Sequence, residues 1–573
     1  MSNKSTAAAT MCRMVVTAAC CLLLVAGPWT PPPADGMRVL AVETIAGKSH
    51  WNFMRAVLRA LTEAGHTVTV FTPFPDGDRD NYTEVDTSAA FRMKLDVDLA
   101  EVLEMFAEPS SILPLIVTVS RSLCDAIFQD DRMKAAMRPR ADLGGYDVVV
   151  VEPMGSECVS HAATVLGLPL VYVVPSPMIS YHEGSFLGHV PNPAVVSHLL
   201  ADHAVPRTFV QRFSNAVLLA YSMFVVRYTE WSLKRTDPTK PYDTLAPVHP
   251  SAVFVNSHFA TEASRPVPPN FIHVGGLHLE KAKSLPTDIL EFIDESSNGV
   301  IYFTFGSVVK MSTMPDHIRK SFKEALAQVP QRVLWKYEGQ MEDIPPNVMI
   351  KKWFPQRDIL LHPKVKLFIS HGGISSVYET VDAGVPVLGF PLFYDQHRNI
   401  ANLVDAGMAI SMELLSVSTD MVLNSILELI NDEKYSINAK ITSERFKDRP
   451  MSPEKLIVYW TEYIHRHNGA PHLKSQALNL TWYQYFLLDV IAVTPDKIID
   501  NIGLIHPSLF YLAKYSIDFV CCDLADLGIS IVRKSEELWK LSYLTRETWL
   551  KVEKPPGCKL RFFPSHKRFK SLE

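Results

Sequence analysis

The 573-residue sequence has few cysteines and no large surplus of charge of either sign. Eight cysteines are too few for a scaffold built on disulfides. With 56 Lys and Arg against 61 Asp and Glu, the chain lacks the basic surplus of a general nucleic-acid binder. Glycine and proline follow no period, which excludes collagen-like and low-complexity chains. A hydrophobic fraction of 47% instead predicts a globular protein, and the length of 573 residues predicts three or more domains, or two large ones.

Several short motifs of nucleotide, metal and hydrolase chemistry are also missing. No Gly-x-Gly-x-x-Gly occurs, so the dinucleotide-binding fingerprint is absent. Gly47-Lys48-Ser49 ends like a phosphate-binding loop, but Val42 stands where that motif needs its first glycine. There is no His-Glu-x-x-His, no Gly-x-Ser-x-Gly and no Cys/His spacing typical of a metal ligand set. The sequence therefore predicts no metal site.

Residues 1–36 predict a secretory signal peptide. Lys4 and Arg13 precede an apolar run over residues 14–26, which is shorter than the roughly 20 residues of a membrane span and ends at Gly27-Pro28. An uncleaved anchor is the alternative. Cleavage would leave an odd number of cysteines, and the sequence does not say which of them pair. They are Cys124, Cys158, Cys521, Cys522 and Cys558.

The other end of the chain, residues 479–573, is predicted to be an atypical tail. Residues 480–493 begin like a membrane span, but Asp489 interrupts them and Pro495 follows, so no firm transmembrane helix is predicted. The basic surplus over residues 551–573 fits either a membrane-surface patch or a solvated tail. In the secretory pathway, Asn81 and Asn479 would be glycosylation acceptors, since each begins an Asn-x-Thr triplet. We expect the protein to lie in the lumen or membrane of the endoplasmic reticulum, or to be secreted.

Strand and helix patterns alternate in two sets, which predicts an α/β fold with two doubly wound lobes. In the first set, apolar runs cover residues 37–43, 67–71, 146–151 and 169–174. In the second, they cover residues 299–305, 332–336, 365–370 and 385–390. The predicted lobes are residues 37–280 and 299–450, joined by a polar linker at residues 281–298.

The chemistry is concentrated in residues 352–399. His371-Gly372-Gly373 forms a turn between a predicted strand and a predicted helix, where an α/β sheet binds its ligand. The free amides at the helix start, with the hydroxyls of Ser375 and Ser376, suit a diphosphate, and His371 can donate to a phosphate oxygen.

Neighbouring side chains offer the other contacts that a nucleotide sugar needs. Trp353 gives a flat surface for a base, and the amide of Gln356 can read a base edge. Glu379 can accept from ribose hydroxyls, while Asp395 and Gln396 can hold sugar hydroxyls. Each residue alone is more typical of a core or of a solvated surface, but together they predict one nucleotide-sugar site.

This segment resembles the donor-binding signature of the UDP-glycosyltransferase family, which includes the UDP-glucuronosyltransferases. The resemblance covers about residues 37–490, and the chain looks like an animal, invertebrate-like member of the family. It includes Phe305-Gly306-Ser307, whose serine lies by the diphosphate in the family. The matching positions of the segment are Trp353, Pro355, Gln356, His362, Pro363, His371, Gly372, Gly373, Glu379, Gly384, Pro386, Pro391, Asp395, Gln396 and Asn399.

The resemblance implies a GT-B type fold of two facing Rossmann-like domains. Residues 37–280 would hold the acceptor, with residues 75–140 and 180–250 lining its pocket. Residues 299–450 would hold the UDP-sugar, and residues 451–478 would be helices that return to the first domain. From residue 511 onward the chain matches no part of the family pattern.

The resemblance also implies the catalytic pair. The family's catalytic histidine stands in a Ser-His-Trp context, which here is Ser49-His50-Trp51. Many members place an aspartate after the strand that corresponds to residues 146–151, whereas this chain has Glu152. Glutamate keeps the charge but is one methylene longer, so the sequence leaves the geometry of the pair open. The family needs neither a metal nor another cofactor.

The predicted function is an inverting transfer of a hexosyl group, glucose or glucuronic acid, from a UDP-sugar to a hydroxyl of a small lipophilic acceptor. Such transfers serve detoxification or the conjugation of endogenous metabolites. The alternatives are a non-catalytic protein that binds a UDP-sugar or a lipophile, and a nucleotide-sugar epimerase. Neither the donor sugar nor the acceptor follows from the sequence. No nucleic-acid partner is expected, and membrane association through the C-terminal region stays open.

Overall fold

The computed structural model describes residues 36–91, 98–106, 109–138, 145–238, 240–242 and 248–493. Residues 1–35 of the predicted signal peptide, Cys521, Cys522, Cys558 and most of the predicted tail lie outside the described residues. The chain divides into two units, Met1–Thr481 and Trp482–Glu573. The first unit holds two parallel sheets.

Within the described residues, the first sheet has seven strands that pair in the order β3-β2-β1-β4-β5-β6-β7. The central strands β1, β4 and β5 are runs of apolar residues, because a parallel sheet with helices on both faces buries both sides of each strand. The strands are β1 (Arg38–Val42), β2 (Thr67–Thr72), β3 (Tyr82–Asp86), β4 (Val148–Val151), β5 (Leu170–Val174), β6 (Ala252–Val255) and β7 (Phe271–His273).

In the same described part of the chain, the second sheet has six parallel strands in the order β10-β9-β8-β11-β12-β13. The predicted α/β fold with two such sheets is thereby confirmed. The strands are β8 (Val300–Thr304), β9 (Arg332–Lys336), β10 (Val348–Lys351), β11 (Val365–Ser370), β12 (Val387–Gly389) and β13 (Ala409–Ser411).

Helices connect the strands and cover both sheets. The α-helices of the first unit are α1 (Lys48–Glu63), α2 (Leu99–Phe106), α3 (Pro109–Gln129), α4 (Asp131–Ala136), α5 (His161–Leu166), α6 (Glu183–Leu187), α7 (Phe209–Thr236), α8 (Thr287–Asp294), α9 (Asp316–Ala327), α10 (Gln356–Leu360), α11 (Ile374–Ala383), α12 (Gln396–Asp405), α13 (Thr419–Asn431), α14 (Glu433–Lys447) and α15 (Pro453–Arg466). Those of the second are α16 (Trp482–Tyr485) and α17 (Leu488–Val493).

Helix α15 follows the second sheet in the sequence but packs on the first. It contacts α1 and β6, and its Ile457 and Ile464 are buried in the same core as Met54 and Leu61 of α1. The chain therefore crosses from the first sheet to the second and back again. This return connects the two lobes at a second point besides the linker.

A disulfide joins Cys124 of α3 to Cys158, which follows β4 in a short 3-10 turn. The two Cα atoms are 6.1 Å apart. The sequence left the pairing open, because spacing alone does not show which cysteines meet in space. The bridge fixes the long helix α3 beside the loop that follows Glu152.

One of the described helices, α7, is long and apolar enough to cross a membrane when judged by length and composition alone. It begins at a capping box, in which Thr208 and Gln211 bond to each other's backbone amides. Along its 28 residues only Asn215, Leu219 and Ser222 are buried. The sequence reasoning did not single out this segment.

Candidate functional site

The sequence-predicted donor residues and His50 lie around one cleft of about 1080 Å³ in the first unit. The carboxyl ends of parallel strands meet at one edge of a sheet, so the loops after β1, β8, β11 and β12 all reach the cleft. The predicted residues that line it are His50, Ser307, Trp353, Gln356, His371, Gly373, Ser375, Ser376, Glu379, Asp395 and Gln396. Glu152 lies behind His50, fully buried.

His50 lies in the first turn of α1, directly after the loop that follows β1. Its Nδ1 is 2.5 Å from Oε1 of Glu152, so the longer glutamate side chain reaches the imidazole. The Glu152 carboxylate is completely buried, whereas a third of the His50 side chain is exposed. Since Nδ1 is engaged by Glu152, Nε2 is the nitrogen left for a substrate in the cleft.

Burial controls the protonation of this pair. It lowers the pKa of His50, against the opposing charges of Glu43 and Asp395, so the imidazole is neutral near neutral pH. Burial also raises the pKa of Glu152 to about 8. When Glu152 is ionised, His50 donates from Nδ1 and Nε2 can accept a proton. When Glu152 is protonated it donates to Nδ1, and the proton of the neutral imidazole then occupies Nε2.

The turn after β11 forms the predicted diphosphate subsite. Helix α11 begins at Ile374, directly after Gly373, and its first backbone N–H groups have no acceptor within the helix. The helix start therefore offers donors and a positive partial charge to an anion in the cleft. Burial, with a contribution from Lys336, lowers the pKa of His371 to about 4. The ring is therefore neutral at pH 7 and can offer one N–H group.

Two glycines leave the space that the His371 ring occupies. A Cβ atom added to Gly306 would lie 2.7 Å from Cε1 of His371, and one added to Gly373 would lie 2.6 Å from Nε2. Gly306 also has a φ of +80°, a conformation that disfavours any other residue. The motif Phe305-Gly306-Ser307 thus shapes the subsite through its glycine as well as through the exposed Ser307.

We expect Gly306→Ala to weaken UDP binding at least about tenfold, because the new methyl group must displace His371 from the subsite. Gly77→Ala is the matched control, since Gly77 also has a positive φ, of +96°, but no atom within 4 Å of an added Cβ. Calorimetric titration with UDP measures the effect. Equal affinities for the two variants would show that the position of the ring does not matter for binding.

Trp353 and Gln356 lie at the predicted base and ribose end of the cleft. The Trp353 side chain is 69% exposed and offers an open ring face. The Gln356 amide nitrogen donates to Oγ of Ser376, at 2.9 Å, and to the Glu379 carboxylate. The structure therefore leaves the Gln356 carbonyl oxygen for a base edge. Burial raises the pKa of Glu379 to about 7.

We expect Trp353→Ala to raise the KM for the UDP-sugar by about 5- to 100-fold and to change kcat little. Stacking of a base on an aromatic ring is worth about 1–3 kcal/mol, and it is made equally in the ground and transition states. Trp231→Ala is the control, because Trp231 is 45% exposed and lies outside the cleft. A large fall in kcat with unchanged KM would contradict a stacking role.

Asp395 and Gln396 stand at the start of α12, at the predicted sugar end of the cleft. Burial raises the pKa of Asp395, and its carboxylate accepts from Nδ2 of Asn399 at 2.8 Å. Oε1 of Gln396 accepts from the backbone amides of Leu392 and Phe393, at 2.9 and 3.2 Å. Gln396 thus fixes the loop after β12, and its amide nitrogen remains to serve a sugar hydroxyl.

A second cavity, of about 100 Å³, lies beside the cleft in the first lobe. Ile116 of α3 lines both spaces. The cavity wall mixes apolar residues, such as Phe186 and Met223, with charged and polar ones, and Nε2 of His182 lies 3.1 Å from Oε1 of Glu157. Most of its lining lies within residues 75–140 and 180–250, the ranges predicted for an acceptor pocket.

The remaining predicted residues lie away from the cleft. Asn81 and Asn479 are both exposed, Asn81 at the turn before β3 and Asn479 at the end of a 3-10 turn. Over the part of the chain that the structure describes, no group of three or more His, Cys, Asp and Glu side chains is placed to hold a metal ion.

Sequence reasoning missed Glu43, which ends the first apolar run. Its side chain is fully buried beside Glu152. A carboxylate directly after an apolar strand, seven residues before His50, is a signal that could have identified it.

Comparisons with known proteins match one family over most of the chain. The sequence model of one family, UDP-glucoronosyl and UDP-glucosyl transferase, matches residues 38–521. The prediction that the family pattern does not extend beyond residue 511 is therefore wrong for residues 511–521. The chain is 37% identical to UDP-glucosyltransferase 2 of Dactylopius coccus over 469 residues, which cover 80% of this chain and 90% of that protein. It is 31% identical to UDP-glucuronosyltransferase 2B15 of Homo sapiens over 476 residues, or 78% and 87% of the two chains.

Among solved structures, the glycosyltransferase VinC in complex with DTDP is similar in fold. The TM-score is 0.51 at 16% identity, and the superposition covers 75% of this chain and all of that one (100%). The rhamnosyltransferase SpnG gives the same TM-score, 0.51, also at 16% identity, over 74% of this chain.

Proposed function

Because the chain belongs to the UDP-glucoronosyl and UDP-glucosyl transferase family, we propose that it transfers a hexosyl group, with inversion, from a UDP-sugar to a hydroxyl of a small lipophilic acceptor. The family predicted from the sequence is thereby confirmed. The observation that carries the proposal is the position of His50, which lines the same cleft as the His371–Gly373 turn and is bonded to Glu152 at 2.5 Å.

The proposed reaction uses each side of the cleft differently. The acceptor hydroxyl loses its proton to Nε2 of His50 while its oxygen attacks the anomeric carbon of the sugar, and the bond from that carbon to the UDP oxygen breaks. The Glu152 carboxylate stabilises the imidazolium that forms. The charge that develops on the leaving UDP is met by the amides at the start of α11, by His371 and by Ser307.

A purely binding protein has no use for this pair. Burying an ionised carboxylate is costly unless it is hydrogen-bonded. Glu152 is completely buried, and the group of the cleft wall that it contacts is the His50 imidazole. The arrangement instead supplies a base with a fixed tautomer at the cleft wall. This favours a transferase over the non-catalytic alternative.

Features outside the cleft support the choice of acceptor and compartment. The cavity that shares Ile116 with the cleft includes apolar residues, such as Phe186 and Met223, that suit a small lipophilic molecule. The Cys124–Cys158 disulfide is typical of an oxidising compartment, and both candidate glycosylation asparagines are exposed. We therefore place the protein in the secretory pathway, in the lumen or membrane of the endoplasmic reticulum or secreted. UDP-glucose or UDP-glucuronate is the donor, and no metal takes part.

The test is to incubate the purified chain with UDP-glucose or UDP-glucuronate and a simple phenol. We expect a β-glycoside, identified by its anomeric proton coupling in NMR, because inversion converts the α-linked donor. UDP binding with no glycoside from either donor, across a panel of phenols and alcohols, would favour the binding protein. A new UDP-sugar formed without acceptor would favour the epimerase.

A further inference from the structure

Two buried carboxyl groups lie side by side behind His50. Val42 of β1 and Val151 of β4 are paired in register in the parallel sheet, so Glu43 and Glu152 are the residues that follow on neighbouring strands. Both side chains are almost completely buried, at 0% and 1% exposure. Each carboxyl group influences the pKa of the other, as expected for side chains that follow paired positions on neighbouring strands. Two such groups cannot both be ionised in a buried site, so one must keep its proton.

The other contacts of each group show where that proton lies. Glu152 presents Oε1 to Nδ1 of His50, and Glu43 accepts the backbone N–H of Ile45 on its own Oε1, at 2.8 Å. Oε2 of each glutamate is buried and accepts no hydrogen bond from any donor among the described residues. Glu152 must be ionised to accept a hydrogen bond from Nδ1 of His50. The pKa of Glu43 is raised by burial and by the charge of Glu152, and these effects exceed the opposing ones of His50 and of the Ile45 amide.

We propose that Glu43 stays protonated and donates a hydrogen bond from its Oε2 to Oε2 of Glu152, which makes it a positioning residue for the His50 base. This inference rests on the proposed function. Glu43 keeps its proton throughout the reaction, and its O–H group stabilises the ionised form of Glu152. Ionised Glu152 in turn holds His50 in the tautomer whose Nε2 accepts the acceptor proton.

The electrostatic surroundings agree with this assignment. Burial, reinforced by the charge of Glu152, raises the pKa of Glu43 well above its usual range. The hydrogen bond from Glu43 in turn lowers the pKa of Glu152, against the effect of burial. Besides this pair, the ionisable groups that act on the site are His50 and Asp395, and the charge of Asp395 acts on His50 from the opposite lobe.

Two substitutions separate the role of the proton from that of the side-chain volume. In Glu43→Gln, the amide oxygen can still accept from Ile45 and the amide nitrogen can still donate to Glu152. Glu43→Met is of similar length but offers no donor. The readout is kcat/KM for the acceptor against pH, with KM for the UDP-sugar as a check on the fold, after the wild-type chain has been shown to transfer sugar.

For Glu43→Gln we expect a pH profile like that of the wild type, with a rate within about threefold. For Glu43→Met we expect the ascending limb to move up by about one to two pH units, because a hydrogen bond to ionised Glu152 is lost. A limb that moves to lower pH in Glu43→Gln would show that Glu43 is ionised in the wild type and would overturn the proposal. An unchanged profile in Glu43→Met would overturn it as well.

A measurement without turnover covers the case in which Glu43→Met does not fold or no acceptor is turned over. The infrared spectrum of the wild-type chain is recorded at about pH 9.5, above the pKa of about 8 of Glu152 and of about 7 of Glu379. It should still contain the C=O band of a buried protonated carboxyl group, and the difference spectrum should show that Glu43→Gln has lost that band. A band that persists in Glu43→Gln would contradict the assignment. A wild-type chain that shows the band but transfers no sugar would refute the proposed function and leave the protonation of Glu43 intact.

Discussion

Replacement of His50 by alanine is expected to abolish sugar transfer while leaving the affinity for UDP unchanged. The imidazole is the group in the cleft whose Nε2 can take the acceptor proton, and general-base catalysis is worth about 10²–10⁴ in rate. His50 lies on α1 beside the first sheet, whereas the predicted UDP contacts come from loops of the second sheet. The loss should therefore appear in kcat and not in the dissociation constant of UDP.

Two measurements check this expectation: the initial rate of glycoside formation and a calorimetric titration with UDP. His317→Ala is the matched control, because His317 is exposed on α9 and does not line the cleft. Undiminished transfer by His50→Ala would remove His50 from the mechanism. A loss of UDP affinity that parallels the loss of rate would instead indicate that the first lobe had been disturbed.

Replacement of Glu152 by glutamine is expected to have the second-largest effect, a fall in kcat on the order of 10²–10⁴. The glutamine amide can donate to Nδ1 of His50, which holds the tautomer whose Nε2 already carries a proton. It also removes the negative charge that stabilises the imidazolium. Glu152→Asp keeps the charge, but its side chain is one methylene shorter and cannot keep the 2.5 Å contact with His50. The rate of this variant should therefore lie between those of Glu152→Gln and the wild type.

The pH dependence provides an independent check on Glu152. Since burial raises the pKa of Glu152 to about 8, the fraction of chains with a free Nε2 grows as the pH rises toward that value. Wild-type kcat/KM for the acceptor should therefore rise from pH 6 to about 8. Glu152→Gln cannot titrate there and should lack this limb. A wild-type profile that is flat over this range would contradict the control of the base by Glu152.

The strands that the sequence did not reveal are mostly those at the edges of the sheets. The apolar runs identified β1, β4, β5, β8 and β11, which are covered on both faces and carry continuous apolar residues. By contrast, β3, β7, β10 and β13 are edge strands. Strand β3, for example, is exposed or only partly buried after its first residue. Such strands lack the apolar run because they contribute less to the core.

The amide side chains show how far chemical character alone can assign roles. Gln356 and Gln396 are both predicted to contact the ligand, because amides bind base edges and sugar hydroxyls. In the structure, one end of each amide is bonded to protein: the nitrogen of Gln356 to Ser376 and Glu379, and the oxygen of Gln396 to the loop after β12. Only packing decides which end of an amide remains for a ligand.

The sequence by itself determined the α/β class, the family and the residues from which the cleft is built. Those features depend on local patterns: buried strands, glycine turns at strand ends and the spacing of side chains along 352–399. The tertiary structure alone decided that Cys124 meets Cys158, that Glu152 reaches His50 and that Glu43 lies against Glu152. These contacts join residues that are far apart in the chain or on neighbouring strands. Their distances follow from strand register and helix packing, which no local pattern of residues contains.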